Sequence, residues 1–458
     1  MSSVEVAAVD LGATSGRVML GRVGPDELTL TPIARFPNGP VTRPDGHLHW
    51  NYSGLYGAVR RGLEDALVAS QHLASVGIDS WAVDYGLLDA EGELVEEPFH
   101  YRDVRTARGV DAVHAIVPFE QLYRRNGLQF LPFNTVYQYA SEVGIGGAQL
   151  ALLIPDLIAH GLTGRAVAER TNASTTGLLN VSTGEWDEAL IETLGLPRYL
   201  FPELVSPGQV IGPWRDGVNV VAVGSHDTAS AVVAVPATDR DFAYISCGTW
   251  GLVGVETDQP VLTDEARAAN FTNEGGVDGR VRFLHNVMGL WLLSECVRDW
   301  GLDDAHLGAL LAEAAQSDEA GRLDPNDPAF VAPGGMPERI ERWLAGNGEA
   351  VPSTRPGLVR VILESLADAF AKAVADAARL SGTSVRVIHL VGGGSQNELL
   401  CQLTADRSGL PVLAGPVEAT ALGNVLVQGR ALGAIDGSLE HLRALVARRF
   451  PPKRYDPR

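Results

Sequence analysis

Lysine is nearly missing from this chain of 458 residues; only Lys372 and Lys453 occur. The first sits in a helical pattern and the second near the C-terminus, neither in a glycine-rich turn. P-loop NTPases, protein kinases and Schiff-base enzymes each need a positioned lysine. No GxxxxGK[ST] occurs, and no GxSxG. Any phosphate chemistry must therefore use another geometry. Cysteine is scarce as well. Cys247, Cys296 and Cys401 lie far apart with no CxxC spacing, which predicts free thiols in a reducing cytoplasm. No run reaches the roughly 18 apolar residues that a membrane helix needs. The opening "MSSVEVAAVDLGATSGRVML" has no basic leader and is interrupted by Asp10, so no signal peptide is expected. Positive charge is outnumbered, 36 Lys and Arg against 56 Asp and Glu, a net charge of -20. That disfavours nucleic acid and anionic membrane as partners. It does not exclude a nucleotide, because backbone N–H groups and a divalent ion hold phosphates inside acidic proteins.

What is present reads as an ordinary globular chain, 45% hydrophobic and 20% charged. The length argues for roughly two to four domains. "VEVAAVD" alternates into the turn "LGATSGR", and "VMLGRV" continues as a second strand. Residues 54–69 repeat apolar positions at helical spacing, and 73–89 read as strand, polar turn and strand. Helix and strand signals alternate to residue 224, which argues α/β. Near Pro236–Asp241 the pattern restarts. "FAYISCGTWGLVGVE" repeats the layout of the opening hairpin, so two halves of similar build are expected. Residues 357–382 form an amphipathic helix with Leu358, Ile362, Leu366, Phe370 and Val374 on one face and Gly382 as its stop. Then "VRVIHLVGGGSQNELLCQLTAD" reads strand, glycine turn, helix, a geometry that lets a backbone approach phosphate. The tail "RRFPPKRYDPR" reads as a loose terminus.

The stretch "VAVGSHDTASAVVAVP" at 221–236 places Ser225, His226, Asp227 and Thr228 amid small apolar residues. Three adjacent residues cannot converge as a catalytic triad, because neighbours on a strand or helix point in different directions. Two readings remain. Asp227 or Thr228 caps a helix that follows a 219–224 strand, or the carboxylate serves as a base toward a substrate hydroxyl. In "DLGATSGR", Asp10 ends a strand, and the tip offers backbone N–H groups, two hydroxyls and Arg17 for phosphates; Asp10 suits Mg²⁺ through water. An inert hairpin is the alternative. "GIDSWAVDYGLLD" gathers Asp79, Ser80, Trp81, Asp84 and Tyr85, a mixture suited to sugar binding or to a loop with a core tryptophan. Asn286 in "LHNVMGLW" reads locally as a cap before a helix.

Taken in order, "VDLGATSGR", "GIDSWAVDYGLLD", "YRDVRT", "LQFLPFNT", "TNASTTGLLN", "GSHDTASAV", "SCGTWGLVG", "TNEGG", "HNVMGLWLL", "VGGGSQN" and "GPVEATALGN" resemble the FGGY-type carbohydrate kinases, most closely their rhamnulokinase branch. The match runs from residue 5 to about 435. "QFLPFNT", "SHDTASAV", "TNEGG" and "GPVEATALGN" carry the branch, whereas the hairpins are shared by actin-like ATPases in general. The resemblance implies two α/β domains of actin-like (ribonuclease H-like) fold, 1–236 carrying the sugar site and first phosphate loop and 237–458 carrying the nucleotide site, with ATP and Mg²⁺ in the cleft. It implies phosphorylation of L-rhamnulose at its 1-hydroxyl. By motif it assigns Ala13, Thr14, Ser15, Gly16 and Arg17 to the first phosphate loop and Asp10 to Mg²⁺, indirectly. Thr249, Ser294, Gly392, Gly393 and Gly394 fall to the nucleotide. Asp227 is assigned as catalytic base, with Ala82, His226, Thr228 and Asn286 at the sugar. Ser225 receives no role. Two positions depart from the family pattern: Ala82 replaces a common glycine, and Ser294 stands where a glutamine touches ATP. A kinase for L-fuculose, L-xylulose or an autoinducer sugar, or an actin-like ATPase with no sugar acceptor, are the alternatives.

Overall fold

The computed structural model describes residues 2–142, 145–319 and 321–458. By contact the chain divides into two units. The first is Met1–Thr238 with Glu256–Phe283 and Ala419–Arg449; the second is Asp239–Val255, Leu284–Glu418 and Phe450–Arg458.

The first unit is built on a six-stranded sheet. Its order is Val210–Arg215, Val218–Val221, Leu73–Ser80, β1 (Val4–Leu11), β2 (Ser15–Gly24) and β3 (Glu27–Pro37). β1 is a nearly continuous buried run, as expected for a strand covered on both faces. It pairs antiparallel with β2, Asp10 opposite Arg17, and parallel with Leu73–Ser80, Asp10 beside Asp79. A parallel partner needs a crossover. Helix Tyr52–Ala69 supplies it, capped by the Asn51 side chain and burying Leu55, Val59, Leu63 and Ala66. The strand expected at 219–224 is Val218–Val221, and the chain then runs to helix Asp227–Val233 with one isolated bridge, at His226. Tyr85, Leu87, Val113, Tyr137, Leu153, Leu190 and Phe201 belong to a further apolar core in this unit.

The second unit repeats the plan. Phe242–Cys247 pairs antiparallel with Trp250–Thr257 and parallel with Val387–Val391, Ser246 beside Val391. Val412–Ala414 adds a parallel strand. The tail corrects an expectation. Lys453–Tyr455 is no loose end but an antiparallel edge strand on Val412–Ala414. Helix Arg355–Ser381 buries the five apolar residues expected of it and stops at Gly382, whose φ of 70° is the left-handed conformation that ends helices. All three cysteines are buried free thiols. No helix among the described residues is long and apolar enough to cross a membrane.

Candidate functional site

The parallel register between β1 and Leu73–Ser80 brings two carboxylates side by side, Asp10 and Asp79. Asp10 is held by Arg17, whose Nε lies 2.9 Å from Oδ2. Asp79 is fully buried. Its Oδ2 accepts from Asn424 Nδ2 at 2.6 Å, while Oδ1 has no hydrogen-bond partner. Burial pushes its pKa well above the ordinary carboxylate value, and the charges of Asp10 and Asp227 push the same way against the pull of Asn424. Asn424 is itself gripped by Gln428, which also donates to the Ala7 carbonyl and accepts from Ser75. Both belong to helix Ala419–Ala431, which packs against helix Asp227–Val233 and β1.

Helix Asp227–Val233 begins directly at the candidate base. Its cap position is His226, with no side-chain cap bond, so the simple capping role for Asp227 or Thr228 is replaced by another arrangement. Ser80 N donates to the Ser225 carbonyl, and Ser80 bridges His226 in parallel, so the segment extends the line of Leu73–Ser80 before turning into the helix. Ser225 has a structural task here. Its N–H and hydroxyl both donate to Glu169 Oε2, at 3.0 and 2.8 Å. Glu169 is buried and also accepts from Thr171. Thr228 Oγ1 donates to Asp227 Oδ1 at 3.1 Å. Burial raises the Asp227 pKa, opposed by His226, by the Thr228 hydroxyl and N–H and by Arg282. Its side chain keeps 30% exposure, enough for a ligand hydroxyl to reach it.

His226 is flanked on its other side. Arg282 Nη2 stands 3.0 Å from His226 Nδ1. Glu274 Oε2 lies 3.2 Å from both the same Nδ1 and the same Nη2. Strand Thr272–Gly275 is fixed by its neighbours: Asn273 donates to the Gly127 carbonyl, and Gly275 N donates to Ser174 Oγ. This explains "TNEGG" as the strand that brings Glu274 to the histidine.

The cluster at 79–85 turns inward. Asp84 is almost fully buried. Its Oδ2 accepts from Trp50 Nε1, Trp81 Nε1 and the Tyr101 N–H at 2.6, 3.1 and 3.2 Å, and its Oδ1 from Gln138 at 2.9 Å. Four protein donors thus engage this carboxylate, which ties Trp50, Trp81, Tyr101 and Gln138 together. Burial raises its pKa to about 6 despite these donors. Val83 holds φ at 70°, a strained conformation for a β-branched residue. Trp50 and Trp81 lie 4.1 Å apart, ring to ring.

The first phosphate loop is the β1–β2 tip. Gly12 N donates to the Ser15 carbonyl, and Asn38 fastens the Gly12 and Thr14 carbonyls. Ala13, Thr14 and Ser15 stand at least partly open to solvent, while Gly16 is buried. Thr249, Asn286, Ser294 and Gly392–Gly394 belong to the second unit. Thr249 is at the tip between Phe242–Cys247 and Trp250–Thr257, and its carbonyl accepts from Trp291 N at the start of helix Trp291–Asp299. Ser294 is exposed on that helix's first turn. Asn286 does not cap it. It lies within strand Val281–Met288, and the cap position is Leu290. The glycine turn fits its expected close approach, but to protein: a Cβ on Gly394 would meet Cys247 Sγ at 2.4 Å, and on Gly392 the Cys247 carbonyl at 3.0 Å. The following helix, Glu398–Ser408, is capped by Asn397.

The first unit therefore gathers Asp10, Arg17, Ala82, His226, Asp227 and Thr228. Sequence reasoning missed Asn424 and Gln428, which support Asp79, Glu169, which holds Ser225, and Glu274 and Arg282, which flank His226. The orphaned Asp79 oxygen beside Asp10 is an environment that suits a cation. Among the described residues no three His, Cys, Asp or Glu side chains converge to ligate an ion directly. A divalent ion here would be held largely through water and phosphate oxygens, the usual habit of Mg²⁺.

Residues 6–234 match the N-terminal domain of the FGGY family of carbohydrate kinases, and residues 243–432 its C-terminal domain. A rhamnulokinase of Pectobacterium carotovorum is 43% identical over 470 aligned positions, covering 100% of this chain and 94% of that protein. One from Klebsiella pneumoniae is 44% identical over 439, covering 93% and 90%. The fold is shared with a ligand-bound xylulose kinase from Lactobacillus acidophilus, TM-score 0.80 at 17% identity, covering 99% of this chain and 94% of that one. It is shared also with the Plasmodium falciparum glycerol kinase solved with ADP, TM-score 0.78 at 17% identity over 100% and 94%.

Proposed function

This chain belongs to the FGGY family of carbohydrate kinases, and we propose that it transfers the γ-phosphoryl group of ATP to the 1-hydroxyl of L-rhamnulose, giving L-rhamnulose 1-phosphate for L-rhamnose breakdown. Rhamnulokinases similar over nearly the whole chain support the substrate. The observation that carries the chemistry is Asp227, a carboxylate at a helix start, reachable from solvent and kept basic by its surroundings.

Phosphoryl transfer needs position and charge neutralisation more than covalent participation. Asp227 accepts the proton of the attacking hydroxyl, and Thr228 holds the carboxylate in one rotamer. His226, Asn286 and Ala82 orient the ketose; the Ala82 methyl narrows the pocket relative to a glycine. Ala13–Arg17, Thr249, Ser294 and Gly392–Gly394 contact the nucleotide, so residues 1–236 carry the first phosphate loop and all of the named sugar contacts but Asn286, and 237–458 carry the remaining nucleotide contacts. Asp10 would help hold Mg²⁺, which when bound would offset phosphate charge. With ion and backbone dipoles in that role, two lysines suffice for the chain. The buried free thiols support a cytoplasmic setting.

A coupled ADP-release assay with Mg-ATP and a ketose panel headed by L-rhamnulose tests this. Preferred turnover of L-fuculose, L-xylulose or an autoinducer sugar would reassign the substrate. ATP consumption independent of any sugar would indicate an actin-like ATPase instead.

A further inference from the structure

We infer that Arg282, held by its counter-ion Glu274, is a positioning residue that fixes the tautomer of His226 with hydrogen on Nε2, so that the proton acceptor of the adjacent pair is Asp227 and not the imidazole. The inference rests on the reading of Asp227 as base. Arg282 is fully buried, and its guanidinium is a permanent donor. Its Nη2 meets His226 Nδ1 at 3.0 Å in hydrogen-bond geometry. Nδ1 must then be the accepting nitrogen, and a neutral imidazole carries its hydrogen on Nε2. Nε2 is the nitrogen facing Asp227, 3.5 Å from Oδ1. An Nε2 that already bears hydrogen donates toward the substrate side and takes no proton there. Glu274, 3.2 Å from Arg282 Nη2, is the counter-ion that lets this guanidinium stay buried. Arg282 Nε is spent on the Gly275 carbonyl at 2.9 Å, which locks the planar group in register with the imidazole.

The pair acts in opposite directions on His226, and this separates positioning from mere support of the fold. In Arg282→Met, the partner left at Nδ1 is the Glu274 carboxylate, an acceptor, so Nδ1 takes the hydrogen. In Glu274→Gln, Arg282 remains a donor and the Nε2–H form persists. Nitrogen NMR of the folded chain labelled with ¹⁵N-histidine, His226 being assigned by its loss in His226→Asn, reads the tautomer without substrate. The expected result is Nε2–H in the parent and in Glu274→Gln, Nδ1–H in Arg282→Met, and recovery of Nε2–H in Arg282→Lys. Arg282→Met should also lower kcat/KM for the ketose by at least about tenfold, since an Nε2 without hydrogen no longer donates toward the substrate and competes with Asp227 for its proton. A parent His226 protonated on Nδ1, or on both nitrogens, overturns the inference. So does an Arg282→Met protein that keeps Nε2–H. Should Arg282→Met fail to fold, the parent and Glu274→Gln spectra still decide. A parent with Nε2–H that phosphorylates no ketose leaves the tautomer assignment standing and removes only the functional reading.

Discussion

The side-chain amide of Asn424 donates to Asp79 Oδ2 at 2.6 Å, joining residues 345 positions apart. Asn424→Ala would leave the buried Asp79 oxygen and the Gln428 amide without that partner. A loss of about 1–3 kcal/mol is expected, the cost of unsatisfied buried polar groups. Chemical denaturation with parallel kcat measurement checks it; unchanged stability would mean that water replaces the amide.

Gly423 marks where helix Ala419–Ala431 touches the helix of the candidate base. A Cβ there would lie 1.8 Å from the Ser230 carbonyl oxygen. Gly423→Ala is expected to displace helix Asp227–Val233 and reduce kcat severely. Gly308→Ala, on helix Asp304–Ala315 with open space around it, should be neutral or stabilising by up to about 1 kcal/mol. Equal behaviour of the two variants in activity and melting would refute the tight contact.

The first hairpin separates binding from folding. A Cβ on Gly16 would strike the Phe36 ring at 2.2 Å, so Gly16→Val is expected to disturb the sheet itself. Gly12 is tighter only against the Ser15 carbonyl, at 3.3 Å. Gly12→Val should therefore keep the fold and weaken ATP, read by calorimetric titration. Unaltered ATP affinity in a folded Gly12→Val protein would remove the loop from the nucleotide site.

Asp227→Asn should lower kcat by at least about 100-fold with ATP affinity largely retained. The parent's kcat/KM has a sign to check. Asp227 must be ionised to accept a proton, and its pKa is raised. Activity should then fall on acidification at a pH above the ordinary aspartate value of about 3.9. A pH–rate profile without that limb, or near-normal turnover of Asp227→Asn, contradicts the assignment.

Asp84 gives a test in stability alone. Its pKa is raised to about 6 in the folded chain, so the native state holds a proton that the unfolded state has released. Stability from this group is full below the unfolded value of about 3.9 and is lost as pH rises to about 6. The stability difference between parent and Asp84→Asn should shift against the parent by about 3 kcal/mol over that window. A difference that is flat in pH would show Asp84 ionised throughout.

The repeating signals of the sheet were legible because each is local. The β1–β2 hairpin, the Arg355–Ser381 helix and its Gly382 stop follow from alternation, period and one glycine. Asp10 and Asp227 stood out as carboxylates at strand ends. Their supports did not, because no local pattern links Asn424 to Asp79 or Glu169 to Ser225. Asn286 misled for the opposite reason: a helix does follow within five residues, but the strand runs on through it. The edge strand Lys453–Tyr455 was hidden because its partner, Val412–Ala414, alone makes it a strand. Asp84 looked available to sugar until its four donors were seen together.

Residues 419–449 complete the unit that begins at residue 1. During synthesis the first 238 residues leave the ribosome well before Asn424 and Gln428 exist, so Asp79 waits with its carboxylate unsupported. The strands Val4–Leu11 and Leu73–Ser80 can pair early, but the carboxylate cluster closes only when the last tenth of the chain arrives. Such a long-range closure is slow in folding terms. A chain interrupted between residues 238 and 419 would contain every residue of "SHDT" and yet lack the floor on which Asp227 is set.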